Sequence, residues 1–533
     1  MTDQTIVQGA VTTRLGADLL LDSLYRGGAR ICFANPGTTE LGLVSALARD
    51  GRIRCVLSLF EGVCTGAADG YARVSGHVPL TLLHLGPGFA NGIANLHNAR
   101  RAGSRIINLI GDHATWHLPY DAPLTSDIYS LASPVSRDVI YLESVAAISG
   151  GVRRAFAATN LAEGGAATII FPTDAVDAPT PIDTAPIVEV PYLPTPVAEA
   201  TIEAAAATLS EGGDTIVLLG GNALTEGGIR AGAQLAEKLG GRLLMEPYPA
   251  IVTLGGDLPA VERQAYFPDD VIAQMGEARV VLAGARMPIS YFGYEGWPSQ
   301  LVPDSRLVRL AEPGEDAVGA LKALLTWIGA AAGQTVVATS AAATPASADA
   351  SPVALSPASV VEELLAQLPQ DSIISLEGST LGGPWLRNAY RARRHRVMTN
   401  TGGAIGQGLP CAVGAALAEP GAQVISLQSD GSAQYTLQSL WTMAREKLKV
   451  TVIIAANHRY AILQTELNRA AAPLEDSVIA SLTKLDKPRV DWVALATGYG
   501  VEAVRASTNA ELAAALQRGL ALEGPLLIQA ELP

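Results

Sequence analysis

Residues 429–463 read SDGSAQYTLQSLWTMAREKLKVTVIIAANHRYAIL. The run before them, AQVISL at 422–427, is apolar and of strand length. A turn follows at Ser429-Asp430-Gly431-Ser432; then Leu437, Leu440, Trp441 and Ala444 fall at helical spacing, and residues 450–456 form a second apolar strand. The order is that of a βαβ unit. Its loops at Asp430-Gly431 and Asn457-His458-Arg459 therefore emerge on one edge of a parallel sheet. An acid, an amide and backbone carbonyls converge there, a hard-oxygen set that suits Mg²⁺ when phosphate oxygens complete its shell. Gly431 lets the backbone approach an anion, and the helix N-terminus at Ser432 adds amide donors. Asp430 alone reads as an ordinary helix cap. Asn457, 27 positions later at the end of the returning strand, is what favours a metal site.

The 533-residue chain is long enough for two to four domains. Charged residues make up 17% and hydrophobic residues 49%, with mean hydropathy +0.25, as expected of a soluble protein with much buried surface. A net charge of −14 leaves no basic footprint for nucleic acid or anionic lipid. Cys32, Cys55, Cys64 and Cys411 lack metal-ligand or disulfide spacing and suit a reduced, cytoplasmic setting. No signal peptide is evident, and no apolar run reaches the ~20 residues that span a bilayer.

Strand-like and helix-like runs alternate throughout, which predicts an α/β protein of three doubly wound parallel-sheet domains. Proline-rich and Ala/Ser/Thr/Pro-rich stretches place linkers at 181–194 and 333–355. The expected domains are then 1–180, 195–332 and 356–533.

In the first, a helix over 12–28 leads into a strand at 31–33, and the turn Asn35-Pro36-Gly37-Thr38 places Thr38 at a helix N-cap. Glu61 stands between apolar neighbours and the small-residue helix VCTGAADGYARV, surroundings that raise a carboxyl pKa by desolvation. His84 ends the strand 79–83, just before Gly86-Pro87-Gly88, where α/β sheets bind ligands. Its imidazole can serve proton transfer near neutral pH or simply bond a backbone carbonyl. His113 and His117 follow a further strand, and Pro119 favours a loop there. No third ligand has the spacing of a zinc site.

The Asp430–Asn457 segment resembles the diphosphate-and-metal motif of thiamine diphosphate (ThDP) enzymes, with Ser429 where glycine is usual. The run EGVCTGAADGYARVSG from Glu61 resembles the glutamate segment of the same enzymes, in which that side chain bonds the aminopyrimidine N1′ and promotes cofactor activation. NPGT…FEG…LLHLGPGFAN resembles benzoylformate decarboxylase in particular. The resemblance implies the ThDP enzyme fold, with pyrimidine-binding, central and diphosphate-binding domains in that order. It implies that Thr38 binds a substrate carboxylate, in place of the usual serine, and that His84 transfers protons.

By the same resemblance Asp430, Asn457 and the Arg459 carbonyl ligate Mg²⁺. Ser379, Thr380, Gly431, Ser432, Asn457 and Tyr460 surround the diphosphate. The Gly403 carbonyl accepts from the cofactor's amino group, and Ile405 props its bent shape. His113, Leu124, Tyr291, Ile462, Leu463 and Glu466 match the substrate pocket, with Glu466 in place of an aromatic residue. Tyr291 or Phe292 stands near a second catalytic histidine of that family, and neither ring replaces an imidazole near neutral pH.

Decarboxylation of a 2-oxo acid is the expected activity, with carboligation of the decarboxylated intermediate or an acetolactate-synthase-like or 2-hydroxyacyl lyase reaction as alternatives. A regulatory, catalytically degenerate subunit is a third reading, which intact Glu61, Asp430 and Asn457 oppose. The central domain in such enzymes holds FAD, ADP or nothing; Gly220-Gly221-Asn222 with Arg286 alone makes no basic cluster, so no FAD is expected. The implied assembly is a homodimer or homotetramer with the cofactor between subunits, a small-molecule substrate, and neither nucleic-acid nor membrane partners.

Overall fold

A computed structural model describes residues 14–180, 187, 189–329 and 354–533. Most of the linker expected at 333–355, together with residues 181–186 and 188 of the other, lies outside the described residues, as does the start of the helix expected from residue 12. That helix runs Gly16–Arg26.

Three sheets are present. The first holds β1 (Ile31–Asn35), β2 (Arg54–Leu57), β3 (Leu80–Leu83), β4 (Ile106–Asp112), β5 (Asp138–Tyr141) and β6 (Ala166–Pro172), all parallel in the order β2-β1-β3-β4-β6-β5. The second and third share the next stretch of chain. β7 (Thr215–Leu219), β8 (Arg242–Met245), β10 (Glu262–Arg263), β11 (Arg279–Ala283) and β12 (Leu307–Ala311) make a parallel sheet in the order β10-β8-β7-β11-β12. Between them in sequence, β9 (Val252–Leu254) leaves this sheet and pairs antiparallel with β14 of the third. That sheet is otherwise parallel, built from β13 (Ser372–Leu376), β14 (His395–Met398), β15 (Val424–Ser429), β16 (Val450–Ala456), β17 (Glu502–Ala506) and β18 (Leu526–Glu531). Its order is β17-β18-β16-β15-β13-β14-β9. The α/β class follows from the runs themselves. β4, β6 and β16 are buried at every residue, so both faces demand apolar side chains and helices cover both.

Each sheet has a point where the chain returns past the strand it set out from and continues on the other side, after β2 in the first sheet, β10 in the second and β14 in the third. The reversal lies between β1 and β3, between β7 and β11, and between β13 and β15. At such points the loops leaving two adjacent strands run to opposite sides and open a crevice at the carboxyl edge. These loops carry Asn35–Glu40 and His84 in the first sheet, and Glu377–Thr380 and Asp430 in the third.

The first and third sheets are joined through helices packed backbone to backbone. A Cβ at Gly414 in the helix Gly408–Ala418 would lie 2.0 Å from the Ala67 carbonyl in the helix Glu61–Ser75, and one at Gly70 would lie 2.2 Å from the Cys411 carbonyl.

Two local expectations change. The helix after Asp430 is broken into Asp430–Ala433 and Ser439–Glu446, because the Thr436 hydroxyl between them donates to the Gly406 carbonyl at 2.8 Å. At the end of β1, Gly37 rather than Thr38 occupies the cap, and its N–H is taken by the Glu40 carboxylate at 2.8 Å.

Candidate active site

The site has three parts. The first is the crevice between β13 and β15 with the loop after β16. Asp430 is 5% exposed; its Oδ1 accepts the Gly431 N–H at 2.8 Å and its Oδ2 the His458 N–H at 2.6 Å. No Lys or Arg pairs with it among the described residues, and burial raises its carboxyl above the usual carboxylate range despite those two donors. A buried carboxylate without a cation is where an added cation gains most.

Asn457 faces the same crevice, donating to Thr380 Oγ1 at 3.0 Å and accepting the Arg459 N–H at 3.2 Å. Gly378, at φ +101°, turns the chain into the helix Ser379–Asn388, so Ser379 and Thr380 present free helix N–H groups to the crevice. Ser429 packs its hydroxyl against Gly378, the Tyr460 ring lies over Gly431, and Ser432 donates to the Ser429 carbonyl at 3.1 Å. The Arg459 guanidinium is engaged by the Pro533 carbonyl. Among the described residues no cluster of three or more His, Cys, Asp or Glu could hold a metal unaided. The donor set at Asp430 and Asn457 thus fits a hard cation that shares oxygens with a bound anion.

The second part is the loop from Asn400 to Gly408, which Glu377 organises. Its buried carboxylate accepts the N–H groups of Gly406 at 2.7 Å, Gln407 at 3.3 Å and Gly408 at 2.8 Å, and burial raises its pKa. Asn98 clamps the other side, donating to the Ala404 carbonyl at 2.8 Å and accepting its N–H at 3.2 Å. Held this way, Gly403 adopts φ +79°, and Ile405 stands 36% exposed. The Tyr291 hydroxyl fills the space a Gly403 Cβ would occupy. Tyr291 belongs to an aromatic group with Tyr248, Tyr266 and Phe292, and the neighbouring Tyr294 donates to Glu466 at 3.0 Å. Ile462 and Leu463 are exposed on the helix Ala461–Arg469 that carries Glu466.

The third part is the crevice of the first sheet. Glu61 starts its helix half-buried and accepts from Asn91 at 3.0 Å. His84 lies close by, since a Cβ at Gly88 would be 3.0 Å from Glu61 Oε1 and 3.3 Å from the His84 Cβ. His84 Nδ1 bonds Glu40 at 2.8 Å. The hydroxyl beside it is that of Thr39, 3.4 Å away; Thr38 is exposed and its side chain makes no hydrogen bond among the described residues. Asn95 joins this part to the loop, donating to the carbonyls of Gly62 at 2.8 Å and Gly406 at 3.3 Å. Leu124 is exposed, whereas His113 stacks edge-on with His117 and buries an unpartnered Nε2.

The sequence reading thus finds Glu61, His84, Asp430 and Asn457 at crevice edges. It misses Thr39, Glu40, Asn95, Asn98 and Glu377, which hold the loops in place. It also finds no basic cluster by the second sheet's reversal, yet Arg101 and Arg286 meet Glu246 and Gly221 there in a cavity of about 480 Å³.

Two thiamine pyrophosphate enzyme domain models match the chain, the N-terminal TPP binding domain over residues 14–131 and the C-terminal TPP binding domain over 382–530. The chain belongs to the thiamine pyrophosphate enzymes. It is 42% identical to the "Putative acetolactate synthase large subunit IlvX" of Mycobacterium tuberculosis, over 97% of this chain and 99% of that one. It is 29% identical to the benzoylformate decarboxylase of Pseudomonas aeruginosa, over 95% and 96%. Its fold matches that of the Rhodococcus jostii ThDP-dependent 4-hydroxybenzoylformate decarboxylase at TM-score 0.84 and 23% identity, covering 97% of this chain and 98% of the other.

Proposed function

We propose that this chain is a ThDP- and Mg²⁺-dependent enzyme that decarboxylates a 2-oxo acid without oxidation. The observation that carries the reading is Asp430, a buried carboxylate without a cation among the described residues, facing Asn457 and a helix N-terminus. In it Asp430, Asn457 and the Arg459 carbonyl hold Mg²⁺. Ser379, Thr380, Gly431, Ser432 and Tyr460 receive the diphosphate, and the Gly403 carbonyl and Ile405 orient the aminopyrimidine. Glu61 holds a proton at the ring nitrogen N1′. Bound there, ThDP supplies the electron sink that a 2-oxo acid needs in order to lose CO₂. His84 receives or returns a proton at the substrate oxygen, and the exposed Thr38 hydroxyl orients the carboxylate. Tyr291, Ile462, Leu463 and Glu466 wall the substrate, with His113 and Leu124 on the loop above it.

A second reading, an acetolactate-synthase-like carboligase, is favoured by Tyr291. The phenol beside Gly403 is a poor proton donor near neutral pH, so it would favour bond formation with a second carbonyl compound over release of a protonated aldehyde. The assembly proposed is a homodimer or homotetramer. Exposed Trp116 (70%), Tyr120 (76%) and Tyr129 (59%) near the crevice support a partner there. A cytoplasmic location accords with four free cysteines among the described residues, none of whose helices is long and apolar enough to cross a membrane.

The test is CO₂ release and product identity from pyruvate and from benzoylformate, with and without added ThDP and Mg²⁺. Release that needs both supports the reading, and Glu61→Gln should lower it by roughly a hundredfold. Acetolactate from pyruvate would move the assignment to the carboligase. Turnover indifferent to ThDP, or unchanged in Glu61→Gln, would overturn both.

A further inference from the structure

We propose that Glu40 is the positioning residue that holds His84 in its Nδ1–H tautomer, with Thr39 as the third member of the group. Glu40 is fully buried, and the one basic side chain it bonds among the described residues is the His84 ring. Its Oε2 accepts the Gly37 N–H at 2.8 Å and lies 2.8 Å from His84 Nδ1, while its Oε1 accepts the Thr39 hydroxyl at 2.7 Å. A carboxylate only accepts, so the proton in the Glu40–His84 bond is carried by Nδ1. Thr39 Oγ1, 3.4 Å from the same nitrogen, has given its own proton to Glu40 and presents a lone pair. Both groups facing Nδ1 therefore ask for a donor.

The arrangement is sterically fixed. A Cβ at Gly37 would lie 2.2 Å from Nδ1, and one at Gly111 on β4 would lie 2.0 Å from Glu40 Oε1. The two glycines are the space that the carboxylate and the ring occupy. The strands set the rest: Glu40 follows β1 and His84 follows β3, the pair on either side of the first sheet's reversal, in register from Cys32↔Leu80 to Asn35↔Leu83. With Nδ1 protonated, Nε2 is the free base of a ring that is 25% exposed. An unrestrained imidazole prefers the opposite tautomer, so a base acting through Nε2 needs such a partner. The charged groups facing His84 are Glu40 on the β1 side and Glu61 beyond Gly88. The inference rests on the proposed function only for the proton-transfer step that His84 serves; the tautomer is a property of the chain.

The test is magic-angle-spinning ¹⁵N NMR of the full chain labelled at its seven histidines, with and without ThDP and Mg²⁺. The His84 signals are those absent from His84→Gln. The wild type should show Nδ1–H. Glu40→Gln keeps an oxygen for Nδ1 but loses the charge. It should keep the tautomer and lower turnover of pyruvate or benzoylformate about tenfold or more. Glu40→Leu with Thr39→Val removes both acceptors and should move the proton to Nε2. A wild-type His84 protonated on Nε2, or a double variant that keeps Nδ1–H, would overturn the proposal. If the double variant does not fold, the tautomers of the wild type and of Glu40→Gln decide. An Nδ1–H signature in a chain that turns over no 2-oxo acid would sink the proposed function and leave this inference standing.

Discussion

At Gly403 the backbone turns through φ +79°, and the Tyr291 hydroxyl lies 2.0 Å from where a Cβ would be. Alanine there meets two separable costs, backbone strain of roughly 1–2 kcal/mol and a clash with the phenol. Gly403→Ala should therefore lose roughly 2–4 kcal/mol in urea unfolding. Adding Tyr291→Phe should return the steric part alone, a coupling that a double-mutant cycle reads directly. Equal losses with and without the hydroxyl would mean that Tyr291 does not set the loop. The glycine was legible in the sequence as part of a GGAIG run and Tyr291 as a pocket position, but their contact was not, because 112 positions separate the two. Glu40 was hidden differently. A glutamate just past a turn reads as a first-turn helix acid, and only the strand order brings it to His84. Glu377 bonds N–H groups 29 to 31 positions on, and no local pattern announces a side chain that serves another segment's backbone.

The helices Glu61–Ser75 and Gly408–Ala418 meet through glycines, so their separation is set by backbone atoms. Gly414→Ala places a methyl 2.0 Å from the Ala67 carbonyl and must push the helices apart. A loss of roughly 1–3 kcal/mol is expected, with a smaller rise in melting temperature on adding ThDP and Mg²⁺, since the helices also carry Glu61 and the loop before Gly408. A normal cofactor-induced rise in melting temperature would show that the spacing does not matter to the site. Elements of this kind were the readable ones. Strands buried on both faces are largely apolar runs, which is why β4, β15 and β16 stood out. β9 and β10 span only three and two residues, too short for any periodicity. The break after Ala433 was equally unreadable, because its cause is Gly406, on a loop packed from outside.

Across the whole molecule, the junction of the three sheets carries a charge-dependent weakness. Glu246 lies in the cavity there with Arg101 and Arg286, and burial lifts its carboxyl to about 7 although it accepts the Gly221 N–H at 3.1 Å. A carboxyl raised by folding is ionised more readily in the unfolded chain. Stability should therefore fall as pH rises from about 4.5 to about 7, and stay low above. Glu246→Gln keeps the acceptor oxygen and removes the charge. Its unfolding free energy in urea should exceed the wild type's at pH 8 by roughly 1–3 kcal/mol and match it near pH 4. A constant gap at both pH values would place the effect elsewhere. The molecule's architecture has one further implication, from β9. The third sheet borrows its outermost strand from a part of the chain more than a hundred residues upstream. Cut out as a recombinant piece, the C-terminal third would carry β14 as a bare hydrogen-bonding edge, a template for aggregation. A designed exchange or excision that keeps β14 therefore has to carry β9 with it, although the two segments look separable in the linear chain.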